Sequence, residues 1–113
     1  MAEQKKLYDT ATIEMIGRGS PSFLNEMIVM FVTLVSKDLE ALKQAAANNS
    51  WVEVGQLAHK IKSATGNMAV TSVVPYINAL EYGTGDRIEN FINLEKTLNE
   101  VLAQMRSDYP ELF

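Results

Sequence analysis

The chain has no cysteine and a single histidine, and each scarcity closes off chemistry. Without cysteine there is no disulfide, no thiol nucleophile and no thiolate metal site, a composition that suits the cytoplasm. One imidazole leaves too few N or S ligands for a zinc centre, so no metal is expected. No apolar run approaches the ~18 residues that span a bilayer, and residues 1–6 lack the apolar stretch of a signal peptide. Cationic excess is missing too. Ten Lys and Arg face fourteen Asp and Glu, for a net charge of −4 and a pI of about 4.9, which argues against a nucleic-acid binder. Nothing resembles a phosphate-cradling glycine loop: Gly17-Arg18-Gly19 follows a helical stretch rather than a strand. ATP binding and self-phosphorylation are therefore not expected.

What is present is helix. At 113 residues with 47% apolar side chains, the chain reads as one domain, 1–113, able to bury a proper core. Residues 8–16 form a short helix, with Asp9 or Thr10 as its cap and Gly17 as its stop. Ser20-Pro21 is a helix start. From there Leu24, Met27, Ile28, Phe31, Leu34, Val35, Leu42 and Ala45 keep a helical period to Asn48. Ser50 and Glu53 have capping-box spacing and open a third helix running to about Ala69. A fourth restarts at Thr71 or Ser72, tolerates Pro75 in its first turn, turns Val74, Ile77, Ala79 and Leu80 inward, and ends at Tyr82. Gly83-Thr84-Gly85 is a turn. Asp86 then caps a last helix whose inward residues are Ile88, Phe91, Ile92, Leu98, Val101, Leu102 and Met105, and Pro110 ends it by about Asp108. The methionines Met15, Met27, Met30, Met68 and Met105 read as core fill. β-Alternation never persists. The expectation is an all-α antiparallel four-helix bundle with a short additional N-terminal helix.

The chemistry centres on His59. On a helix, His59, Lys62, Ser63 and Gly66 share one stripe, while Leu57, Ala58, Ile61, Ala64 and Met68 point into the core. A ring nitrogen thus faces solvent with an ammonium one turn away. An imidazole is largely neutral near pH 7, its ordinary pKa being about 6.5, and a neutral ring nitrogen can attack phosphorus without a separate base. A lone surface histidine is more often an ordinary solvated residue, and two lysines on a helix are more often solvated surface. Set together beside small residues they favour a phosphoryl carrier. For Gly55, four residues before His59, two readings stand side by side: room for a partner's close approach, or helix packing.

The stretch His59, Ile61, Lys62, Ser63, Ala64, Thr65, Gly66, Met68 resembles the signature of histidine phosphotransfer (HPt) domains, and the likeness in helix length and spacing covers residues 8–109. Two positions depart from that pattern. Ser63 stands where the family usually has a glycine four residues after the histidine, and Ala69 where it usually has another ten residues after. The resemblance implies a phosphorelay intermediate in which His59 is phosphorylated and Lys62 stabilises the phosphoryl group. It implies no cofactor, the Mg²⁺ belonging to the partner. Gln56, Lys60, Ser63, Gly66 and Asn67 would form the docking surface for a response-regulator receiver or the receiver of a hybrid histidine kinase. Glu81 or Asn78, on the neighbouring helix, would orient the ring. The implied protein is a monomer with no nucleic-acid or membrane partner, stand-alone or a domain of a larger kinase. The alternative is an adaptor without relay activity that only docks such a partner, an idea to which Ser63 and Ala69 lend room.

Overall fold

A computed structural model describes residues 6–113, so most of the stretch read as lacking a signal peptide lies outside it. The elements are α1 (Ala11–Ile16), α2 (Pro21–Ala47), α3 (Trp51–Asn67), α4 (Val74–Tyr82), α5 (Arg87–Asp108) and a final 3-10 turn, Pro110–Leu112. No strand occurs among the described residues. Helix α2 packs on α3, α3 on α4, α4 on α5, and α5 back on α2, which closes a ring of four. Short loops between consecutive members make neighbours antiparallel. Helix α1 lies against α2 as the expected additional piece.

Local chemistry sets the helix ends. Ser20 Oγ accepts from the Phe23 N–H at 3.2 Å and Pro21 takes the first helical position, where its missing N–H costs nothing. The 27 residues of α2 make a rod about 40 Å long. Asp86 Oδ1 accepts from the Glu89 N–H at 3.1 Å and caps α5. Ser50 differs from expectation: it stands at the start of α3 but its side chain makes no capping bond. Its backbone N–H instead closes the end of α2 on Ala45 O at 2.8 Å, after Asn49 with φ +57°. That closing turn dictates the backbone at Ser50 and overrides the capping box. Helix α3 ends the same way, two residues earlier than expected: Val70 N–H reaches Thr65 O at 2.9 Å, and Ala69 adopts φ +53°.

The core is a single cluster running through Ile28, Val35 and Leu42 of α2, Val54, Ala58 and Ile61 of α3, Ile77 and Leu80 of α4, and Leu94, Leu98, Val101 and Met105 of α5. Several expected core residues lie outside it. Leu34, Val74, Ile88, Ile92, Met15 and Met30 are exposed, whereas Val32, Leu39, Val73 and Leu94 are buried. Each helix buries only the strip that faces its ring neighbours, and a residue one step off that strip swings by about 100° to solvent. Val73 and Val74 illustrate the exchange at the start of α4, as do Leu94 and Ile92 in α5.

Candidate functional site

His59 lies halfway along α3, and the full burial of Ala58 and Ile61 on either side of it fixes the rotation of the helix that turns its ring outward. Its own side chain is 69% exposed. Across the seam, α4 presents Glu81, whose side chain is only 17% exposed. Glu81 Oε1 lies 2.5 Å from His59 Nδ1, and Oε2 accepts from Lys62 Nζ at 3.3 Å. One carboxylate therefore holds both the ring and the ammonium. The hydrogen bond with His59 is the main reason the Glu81 carboxyl is held below its ordinary range, with Lys62 adding to it and partial desolvation opposing. An ionised carboxylate can only accept, so in the neutral ring the proton sits on Nδ1 and the lone pair on Nε2.

The close approach of α3 and α4 depends on Gly55. A Cβ there would come 2.9 Å from the Leu80 carbonyl oxygen and 3.6 Å from Glu81 Cα. Helix packing is thus the reading that holds for Gly55, and its effect is to bring the Glu81 backbone within reach of His59. Gly66 is the opposite case, with open space where a side chain would stand. Asn78, the other orienting candidate, faces a separate small hollow with Lys62, Gly66 and Ala69, and makes no hydrogen bond with the ring.

Gln56, Lys60, Ser63, Gly66 and Asn67 are all exposed on α3 around the histidine. Lys60 turns away from the stripe: its Nζ donates to Asp38 Oδ1 of α2 at 3.0 Å, so it ties the other seam of α3. Asp38 was not legible as its partner, since only the packing of α2 on α3 brings the two together. Beside His59 an open hollow of about 660 Å³ runs between the start of α3 and the end of α4, with Trp51, Val52, Tyr82 and Arg87 on its walls. Val52 and Tyr82 are strongly exposed for apolar side chains, at 79% and 69%. Extending the His59 stripe backwards through Gln56 reaches Val52, so periodicity could have found it; Tyr82 and Arg87 come from α4 and α5 and carry no such signal.

Among the described residues no group of three or more His, Asp or Glu side chains is placed to hold a metal ion, and no helix is long and apolar enough to cross a membrane. The family model of the Hpt domain matches residues 26–108. The chain belongs to the Hpt domain family. The match takes in α3, α4 and α5 whole and most of α2, and so every residue of the site. Hpt domains are histidine phosphotransfer carriers of two-component systems that work with receiver domains and are not autonomous kinases. Comparison with curated proteins and with solved structures returned no match.

Proposed function

We propose that this protein is a phosphorelay intermediate that takes a phosphoryl group from a receiver aspartate onto His59 Nε2 and delivers it to a second receiver. The observation that carries the reading is the His59–Glu81 hydrogen bond, which engages Nδ1 of an exposed ring and assigns the lone pair of the neutral imidazole to Nε2. In the forward step the Nε2 lone pair attacks phosphorus as the bond to the aspartyl oxygen breaks. An N–P bond forms and the aspartate leaves as carboxylate. The ring becomes cationic as it is phosphorylated, and the Nδ1 proton stays shared with Glu81, whose negative charge opposes that build-up. The second transfer is the reverse. Mg²⁺, where needed, belongs to the receiver.

Lys62 is the cation that shares Glu81 with the ring, and its role is to release Glu81 and pair with the phosphoryl oxygens. Phosphoryl transfer asks for little more than positioning and electrostatic stabilisation. The docking face is Gln56, Ser63, Gly66 and Asn67, with Lys60 at its α2 edge, extended by the apolar Val52 and Tyr82. Such a face suits a transient interface of about 1,200 Å² or less. The adaptor reading rested on Ser63 and Ala69. Ser63 is exposed on α3, and Ala69 already holds the backbone shape a glycine would take. Neither change removes a part the relay needs.

The experiment is incubation with phosphorylated receivers or small phospho-donors. Acid-labile, base-stable phosphate is expected on the wild type and none on His59→Gln, with the helical spectrum unchanged. Label on Asp or Ser, or label that survives in His59→Gln, rules the assignment out.

A further inference from the structure

The periodicity of α2 carries a second stripe that the bundle does not use. Met30 and Leu34 are 50% and 48% exposed, Val29 is 37% exposed, and with Thr33 they line one apolar hollow on the outer face of the helix, edged by Leu112. Glu26 and Lys37 stand at the two ends of this stripe, both exposed, and neither forms an ion pair among the described residues. None of these residues lines the hollow beside His59.

Their order has a symmetry of its own. Glu26 lies as far before the midpoint between Phe31 and Val32 as Lys37 lies after it, and Met30 and Thr33 are related in the same way. The spacing 26, 30, 33, 37 is that of one helix seam, alternating four and three residues. If a second α2 is laid antiparallel on the first about a two-fold axis at that midpoint, Glu26 of each copy meets Lys37 of the other. Met30 then meets Thr33, and Val29 and Leu34 widen the apolar contact on its two flanks. A two-fold interface needs a surface complementary to itself. An acid at one end and a base at the other, about an apolar centre, satisfy that condition, whereas a parallel pairing would set like charges together.

We infer that the outer face of α2 is a self-association surface on which a second copy of this chain docks antiparallel, paired through Glu26 and Lys37. The monomer expected from the sequence is then the dilute limit. From Glu26 to Lys37 the contact is about 17 Å of helix, at the small end of specific interfaces, so association is weak and reversible. Each copy keeps its His59 face free for a receiver.

The test is sedimentation equilibrium of the full chain from micromolar to millimolar concentration, with circular dichroism to confirm that each variant is folded. The weight-average mass is expected to climb from 12.6 kDa towards twice that value. Met30→Glu and Glu26→Lys are expected to hold it at the monomer value throughout. Glu26→Lys combined with Lys37→Glu restores the contact with its charges exchanged, and with it the rise in mass. A wild type that stays monomeric at every concentration overturns the proposal and leaves the stripe to some other partner. A dimer that persists in both single variants, or a folded charge-swapped variant that fails to associate, overturns it as well.

Discussion

Helix α3 is fastened on both flanks by a lysine and a carboxylate, and the two fastenings are unlike. On the α2 side Lys60 meets Asp38 at 3.0 Å and the pair ends there. On the α4 side Lys62 meets Glu81 at 3.3 Å, and the same carboxylate also holds the imidazole. Composition does not separate them, since each is an ammonium on an acid at a helix seam. The second seam differs in how close its backbones come, because Gly55 lets the Leu80 carbonyl oxygen sit only 2.9 Å from where a Cβ would stand. That lets a short, half-buried Glu81 reach across to a side chain that is itself exposed. One seam holds the helix in place; the other also holds the imidazole ring.

The sharpest way to break the contrast is to remove each acid in turn. Glu81→Ala is expected to slow phosphoryl transfer at least about tenfold through lost ring orientation, while Asp38→Ala leaves the rate unchanged and costs about 1 kcal/mol of stability or less. Stopped transfer assays beside thermal melts check both halves, and equal rates in the two variants would collapse the distinction.

Gly55→Ala probes the approach itself. The added methyl must push α4 outward, for about 1–3 kcal/mol of destabilisation, and it should lower the transfer rate by displacing Glu81. A melt that is unchanged together with full activity would show that the seam has slack.

Acid provides a third probe. The folded Glu81 carboxyl lies below its ordinary 4.5, so its contribution to stability is fully present above that pH and fades as pH falls through the folded value. With Glu81→Gln this part of the acid limb should disappear. An identical pH–stability curve for the variant would contradict the shift.

Smaller still is the comparison of the lysines. Lys62→Ala should shorten the lifetime of phosphohistidine with almost no change in melting temperature, and Lys60→Ala should leave the lifetime alone. Following the decay of labelled protein distinguishes them.

The helices and their caps at Ser20 and Asp86 were legible in the sequence because they rest on local rules, and so was the exposure of His59, which follows from its apolar neighbours on α3. The Glu81 contact was narrowed to two residues but not chosen, since Glu81 and Asn78 lie three apart on one helix and only the packing angle of α4 separates them. On α5 Ile88 and Ile92 were misjudged for a related reason: they are as apolar as Leu94, and only the position of the neighbouring helices decides which is covered. Ser50 shows the limit of a motif. Its spacing to Glu53 is right, yet the closing turn of α2 takes its backbone first. Ala69 shows the reverse, a departure from the family's usual glycine that the backbone absorbs at positive φ. An alanine held there costs roughly 1 kcal/mol, and Ala69→Gly should raise the melting temperature slightly, leaving transfer intact.

At the far end of α5, Asp108 Oδ2 accepts from Tyr8 Oη at 2.6 Å and from Lys6 Nζ at 3.1 Å, while the Leu7 N–H donates to Gln104. Those bonds draw the Asp108 carboxyl below its ordinary range, the tyrosine contributing most, and help to push the Tyr8 phenol up alongside its desolvation. They also bring the first described residues against the last turn of the last long helix. A segment pinned by three hydrogen bonds frays less readily than one held by a single contact, because opening it must break them together. The clamp is thus a guard against fraying: it ties the stretch ahead of α1 to the last turn of α5, at a distance in sequence of about a hundred residues.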